Sequence, residues 1–302
     1  TSWDTGAMRG NVFAYMLFDD NGTDVTPSGT RIDVDGRTRS LILAENKWDI
    51  SPLWSLTAEG AYISDERLID ALFPLLSRNR REFTTRIELE RADENSLLSL
   101  ELKNDLNDFV PTQYLLESRG YSVDKLPEVS YSRVADDLSE GFFAPGTLTL
   151  NSEYRLGQLV MNFSDPAVQD LGYTNRLLSQ QAFGVDPTQS IADRLRAQGL
   201  REKGVFRFDT RHELSAVLDA GPVRINPFLV GRLSAYDQDF QSFSPNEKDN
   251  VRLWGAAGVR LATTIQRVDS SIDSSFWDLH RVRHIIEPGI TLWHAASTVD
   301  RV

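Results

Sequence analysis

Val205-Phe206-Arg207-Phe208-Asp209-Thr210-Arg211-His212-Glu213-Leu214-Ser215-Ala216-Val217-Leu218 alternates along its whole length. Phe206, Phe208, Thr210, His212, Leu214, Ala216 and Leu218 fall on one side, and Val205, Arg207, Asp209, Arg211, Glu213 and Ser215 on the other. A period of two belongs to a β-strand, whose successive side chains point to opposite faces. Here one face is mostly apolar and the other charged. The next run, 223–236, repeats the pattern: Val223, Ile225, Pro227, Leu229, Leu233 and Ala235 against Arg224, Asn226, Phe228, Val230, Arg232, Ser234 and Tyr236. Between them, Asp219-Ala220-Gly221-Pro222 is a turn-forming cluster, so the two runs predict one long hairpin.

The same period extends outward in both directions. Residues 251–268 place Val251, Leu253, Ala257, Val259, Leu261, Thr263 and Ile265 opposite Arg252, Trp254, Gly258, Arg260, Thr264 and Gln266. Residues 281–294 set Ile286, Pro288, Ile290 and Leu292 against Arg283, Glu287 and Thr291. Upstream, Thr85, Ile87 and Leu89 alternate with Arg86, Glu88 and Glu90. Leu98, Leu100 and Leu102 follow after the turn at 92–95, and Leu148 and Leu150 later. Runs 39–50 and 54–63 predict a hairpin turned at Ser51-Pro52. Two short helices are expected: 65–72, capped by Ser64 and stopped at Pro74, and 191–198, capped by Ser190 and ended by Gly199. Residues 165–187 read as a large irregular loop. No sharp domain boundary appears, and residues 1–302 read as a single domain.

Several of these runs reach the 9–11 residues, roughly, that a tilted membrane strand needs, against about 5–6 for a soluble strand. A soluble sandwich and a barrel with a wet interior both explain a charged face. No apolar run approaches the roughly 18 residues of a transmembrane helix, so a membrane-spanning form of this chain would be a closed barrel. The six Trp and eight Tyr fit interface girdles or core packing equally well. Lys plus Arg is 32 against Asp plus Glu 44, a formal net charge of -12. That balance argues against nucleic-acid binding, which needs a basic surface. Cysteine is absent, which excludes disulfides, thiolate metal sites and cysteine nucleophiles. Neither end carries an element that opens or closes a chain of this kind, so an internal fragment is expected.

Candidate chemistry is sparse. His280, His284 and Glu287 are the most metal-like group, but in an extended strand the two histidines stand about 13 Å apart. Asp19-Asp20-Asn21-Gly22-Thr23-Asp24 is rich in oxygen ligands but lacks the calcium-loop spacing, and Asn-Gly is a strong hairpin signal. There is no Gly-x-Ser-x-Gly elbow, phosphate loop or dinucleotide glycine pattern. No cofactor and no enzymatic activity are expected.

Several segments resemble, in order, the C-terminal barrel of the LPS-assembly protein family LptD (OstA/Imp). Leu279-His280-Arg281-Val282-Arg283-His284-Ile285-Ile286-Glu287-Pro288-Gly289-Ile290 is similar to that family's Arg-His-x-hydrophobic-Glu-Pro strand, here carried by Arg283, His284, Glu287 and Pro288. Residues 207–214, continuing through Pro227 to Tyr236, resemble its Arg-rich strand and the Pro-containing strand that follows. Ser64-Asp65 resembles its strand-ending Ser-Asp, and Leu126-Pro127 its entry to another strand. The similarity spans roughly residues 30–295. The family's periplasmic jelly-roll domain, its last barrel strands and the cysteines of some members have no counterpart here.

The resemblance implies an all-β fold, an incomplete antiparallel transmembrane barrel of the outer-membrane type. It implies residence in the outer membrane of a Gram-negative (diderm) bacterium, and a role in moving lipopolysaccharide into the outer leaflet. It also implies an LptE-like plug lipoprotein inside the barrel, outer-membrane lipid around it, and periplasmic LPS-bridge proteins reached through the missing N-terminal domain. On that reading Arg207, Asp209, Arg211 and Glu213 line the lumen. A general outer-membrane porin or channel shares the strand pattern. A soluble β-sandwich carbohydrate-binding module is the alternative outside membranes, and solubility without detergent discriminates it.

Overall fold

The computed structural model describes residues 1–26, 29–78, 83–107, 109, 120–244 and 249–298. Strands dominate. They are β1 (Ser2–Asp4), β2 (Met8–Asp20), β3 (Thr23–Val25), β4 (Arg31–Asp33), β5 (Arg37–Asp49), β6 (Trp54–Ile63), β7 (Thr85–Asp93), β8 (Ser96–Asn104), β9 (Tyr121–Asp137) and β10 (Leu148–Phe163). There follow β11 (Gly204–Ala216), β12 (Leu218–Ala220), β13 (Val223–Tyr236), β14 (Val251–Thr263), β15 (Ile265–Ser274), β16 (Leu279–Ile286) and β17 (Gly289–Ser297). The helices are α1 (Leu68–Leu72), α2 (Pro74–Arg78), α3 (Arg176–Phe183) and α4 (Ile191–Ala197). One thirteen-stranded sheet follows the order β1-β2-β5-β6-β7-β8-β9-β10-β11-β13-β14-β17, with β12 paired to β13. Among the described residues no pairing links β17 back to β1, so what is established is a large antiparallel sheet and not a closed barrel.

The connections alternate in length along the chain. Short ones at 5–7, 50–53, 94–95 and 221–222, and an intermediate one at 138–147, are interleaved with long ones at 21–36, 64–84, 105–120, 164–203 and 237–250, while 275–278 closes the separate β15–β16 hairpin. From β1 to β8 the antiparallel pairings put 21–36 and 64–84 at one end of the strands, and 5–7, 50–53 and 94–95 at the other.

Contacts group the residues into two compact units. The first comprises 1–131, 155–208 and 235–250. Directly opposed residues of an antiparallel pair share a face. By that rule Met8, Trp48, Leu56, Leu89 and Leu100 form one apolar row, and Ile87 and Leu102 continue it beside Ala58. The other face carries the rows Arg9-Lys47-Thr57-Glu88-Glu101 and Asn11-Glu45-Glu59-Arg86-Lys103. A one-residue slip at any strand would exchange these faces, so the register and the alternation specify one another. The apolar row is open: Trp48, Ile87, Leu100 and Leu102 are all exposed, Ile87 by 51%.

The core of this unit lies instead beneath its helical connections. Leu41, Leu43, Ala61 and Ile63 are covered by Leu68 and Ile69 of α1. Phe163, Val168, Tyr173, Phe183, Val185, Ile191 and Leu195 form a second cluster around α3 and α4. The expected helix at 65–72 is shorter, and Ser64 does not cap it. Its hydroxyl donates to Asp65 Oδ2 (2.9 Å) and accepts the Ser40 amide (3.0 Å), and α1 has no side-chain cap. The expected stop is met: α1 ends at Leu72 with Phe73 as its C-cap, and Pro74 begins α2, where a missing N–H costs nothing. Residues 165–187 are not wholly irregular, because Asn175 caps α3 through the Leu177 and Leu178 amides. Ser190 does cap α4, in a full capping box with Asp193. Ser190→Ala is expected to cost about 1 kcal/mol, read as a matching fall in amide-exchange protection of α4. Unchanged protection would deny the cap any energetic role.

The second unit comprises 132–154, 209–234 and 251–302. The hairpin turn is tighter than the sequence suggests: β12 and β13 pair as far as Ala220 opposite Val223, leaving Gly221-Pro222 as the turn, with Gly221 at φ +64°. β13 runs through Pro227 without a break, because a proline removes a single donor from the ladder. At Pro288 the break is real. The expected strands 251–268 and 281–294 each divide, β14 pairing with β17 and β15 with β16. Val259 stands opposite Leu292 and Leu261 opposite Ile290, an apolar row of this unit in which Ile290 and Leu292 are exposed.

Candidate functional site

The charged face is the chemically distinctive surface of the sheet. In the first unit it is a chain of cross-strand ion pairs. The Arg86 guanidinium donates to both oxygens of Glu59 at 3.1 Å, a forked geometry that only arginine supplies. Ser99 donates to Glu88 (2.9 Å), and Lys125 donates to Glu101 and Glu128, both at 2.7 Å. Arg207 closes the chain on Glu128 at 3.3 Å. Lys125 and Glu128 lie an odd number of residues apart, so strict alternation would separate them. The period is broken at Pro127, whose bond to Leu126 is cis. These two residues sit inside β9, which starts at Tyr121, rather than at a strand entry. Glu88, Ser99, Glu101, Lys125, Glu128 and Arg155 line a polar recess on this face.

In the second unit Asp209 accepts from Arg232 at 3.0 Å and from the Ser234 hydroxyl. Glu213 accepts from Arg211 (2.6 Å) and from Arg260 (3.1 Å), whose guanidinium lies 4.1 Å from the centre of the Phe228 ring. Arg207, Asp209, Arg211 and Glu213, singled out in the sequence, thus each pair with an opposite charge. Partly exposed pairs of this kind add about 0–1 kcal/mol each to stability. Their effect is chemical: a wet surface of alternating sign, dense in donors and acceptors.

The second feature is a buried ionic cluster in the first unit. Arg39, with a side chain 0% exposed, donates to Asp65 through Nε (3.0 Å) and Nη2 (2.8 Å), and through Nη1 to Asp24 (2.8 Å) and Asp20 (3.2 Å). Arg67 donates to Asp24 (3.2 Å) and to the Asp170 carbonyl (2.9 Å). Burial alone would raise the Asp65 carboxyl. The Arg39 hydrogen bonds and charge, with the Ser64 hydroxyl, outweigh it and hold Asp65 below the usual carboxylate range. Ser64 and Asp65, flagged in the sequence, belong here. Asp20 and Asp24 were read only as part of a turn. No hairpin forms at Asn21-Gly22: β3 pairs with β4 rather than back on β2, and the two carboxylates serve Arg39. Sequence reasoning missed Arg39 itself. The available signal was an arginine in phase with Leu41 and Leu43, which demands buried carboxylates.

His280 and His284 lie on β16, an extended strand; His280 faces Asp273 at 3.0 Å, and His284 stands opposite Arg267. Glu287 accepts from Thr264 at 3.4 Å, and the Pro288 carbonyl accepts the Thr263 amide at 3.2 Å. Arg283 bonds to Gln266. His280, Arg283 and His284 lie within β16, and Glu287 and Pro288 form the joint where it passes to β17. No protein-family model and no curated protein matches this chain.

Proposed function

We propose that this chain is wall from an outer-membrane β-barrel that carries lipopolysaccharide into the outer leaflet. The observation that carries the reading is the two-faced sheet: open apolar rows on one side and ion-paired rows on the other, with connections alternating short and long. That is the organisation of outer-membrane barrels, in which an apolar band meets lipid, the interior is polar, and short turns alternate with longer outer loops. An apolar row left open to water is otherwise a liability. The choice of lipopolysaccharide over a general solute is supported by the ordered resemblance to the LptD family, including Ser64-Asp65 and Glu287-Pro288.

The step is transfer without covalent chemistry. Acyl chains follow apolar surface, while the sugar and phosphate head group passes along the rows of Glu59, Arg86, Lys125, Glu128 and Arg207. Charge on that face avoids the roughly 2–4 kcal/mol that Arg or Lys costs against lipid at mid-membrane. Lipid covers the apolar rows, and a plug lipoprotein of the LptE type sits against the charged ones. The periplasmic bridge joins through a further domain. The test is heat-modifiable migration of the full-length protein extracted in mild detergent, with analysis of what co-purifies. A compact heat-sensitive band carrying lipopolysaccharide and a small lipoprotein is expected. The same band without either identifies a plain porin, and a water-soluble protein absent from membranes overturns the barrel.

A further inference from the structure

The charged rows of the first unit do not run the full length of their strands. Toward the 64–84 connection the same face carries Tyr15, Leu41, Leu43, Ala61 and Ile63. A water-facing surface would not place aliphatic residues there uncovered, and it does not. α1 and α2 fold over them through Leu68, Ile69 and Leu76, and Phe73 sets its ring edge-on to Tyr15 at 5.1 Å. Leu41, Leu68 and Ile69 are wholly buried. Two five-residue helices are too short to stand alone, so this segment is ordered by its docking. The docking is fastened by charge. Asp65 at the root of the segment is forked onto Arg39 of β5, and Arg67 reaches Asp24 and the carbonyl of Asp170 in the 164–203 connection. One ionic cluster therefore ties 21–36, 64–78 and 164–203 together at one end of the charged face.

We infer that residues 64–78 form a latched lid over the charged face, closed by the Arg39–Asp65 and Arg67–Asp24 pairs and opening as a unit when those pairs part. The inference rests on the barrel reading, in which this face is the lumen and the long connections lie at its outer mouth. The fastening is all-or-none in character. Parting Arg39 from Asp65 leaves the buried guanidinium to Asp20 and Asp24 alone and at the same time uncovers the apolar cluster beneath, so partial opening is disfavoured and the segment moves as one unit. A polar head group moving along the charged rows meets this lid last.

The test uses the full-length protein in planar lipid bilayers, comparing wild type with Arg67→Ala and Asp65→Asn; both residues lie off the strands. Each variant is expected to raise the fraction of time in the high-conductance state by about tenfold or more. The heat-modifiable band is expected to persist, with new protease cleavage within 64–78. Glu94→Ala, at the opposite strand ends, is expected to behave as wild type. Equal conductance of wild type and both variants, with the band intact, overturns the lid and leaves the barrel standing. Loss of the band in both variants assigns the cluster to folding and also overturns the lid. A wild type with neither band nor channel overturns the barrel reading itself, and the lid with it.

Discussion

Leu100→Arg is expected to destabilise the folded protein in lipid vesicles by about 2–4 kcal/mol, the cost of a basic side chain against mid-bilayer hydrocarbon. Leu100 stands opposite Leu89 in the row that begins at Met8, and it is 41% exposed in the isolated chain. In a soluble protein an exposed leucine changes to arginine at a cost within about 0.5 kcal/mol. The same substitution therefore separates the two environments by a wide margin. Thr57→Arg, on the charged face between Lys47 and Glu88, is the matched comparison and is expected to be near neutral. The measurement is urea unfolding in vesicles followed by tryptophan emission and band migration. Equal, small effects at both positions would remove the lipid-facing assignment of the apolar rows.

Asp65→Ala is expected to cost about 3–5 kcal/mol of docking free energy for the 64–78 segment, because it deprives a wholly buried guanidinium of its forked partner. The reading is the rate of proteolysis within 64–78 at increasing urea. A cost near zero would mean that Asp20 and Asp24 suffice for Arg39. The pH dependence has a defined sign. The folded Asp65 carboxyl is depressed, so its contribution is complete above the unfolded value of about 3.9. It is lost as pH falls through the lower folded value. Docking is thus expected to be flat from pH 7 to about pH 5 and to weaken below about pH 4. Asp20 on β2, Asp24 on β3, Glu66 beside Arg67, and Arg37 face the same cluster. Asp65→Asn should remove one carboxylate's share of the acid transition. Loosening that begins between pH 5 and 7 would point to another group.

The strands and their faces were legible because alternation is a local property. Arg207, Asp209, Arg211 and Glu213 read as one row from spacing alone, and each proved to be ion-paired. Their partners were not legible. Glu128 lies on β9, beyond a proline that shifts the period, and Arg260 reaches Glu213 from β14. Such pairings depend on sheet order, which no local pattern records. Ser190 was readable as a cap because Asp193 stands three residues on. Ser64 misled for the same reason in reverse: a serine before an acidic stretch satisfies the rule for a cap. Its hydroxyl is instead held between Asp65 and the Ser40 amide on a distant strand. Whether the sheet closes is a property of its two edges, and alternation is silent on edges.

The interruption at Pro288 has a mechanical consequence. Ala262 stands opposite Gly289 and Ile265 opposite Ile286, so the ladder is in the same register on both sides of the gap. No residue would need to trade partners if the angle between the two ribbons changed. Only the few dihedrals around Thr264, Glu287 and Pro288 would turn, with the Thr263–Pro288 and Thr264–Glu287 bonds spanning the joint. The 265–286 hairpin is therefore articulated like a finger at its knuckle, with a second joint farther out where the register shifts between Asp269 and Asp273. Phe276 and Trp277, packed edge to face at 5.0 Å, are carried at the fingertip.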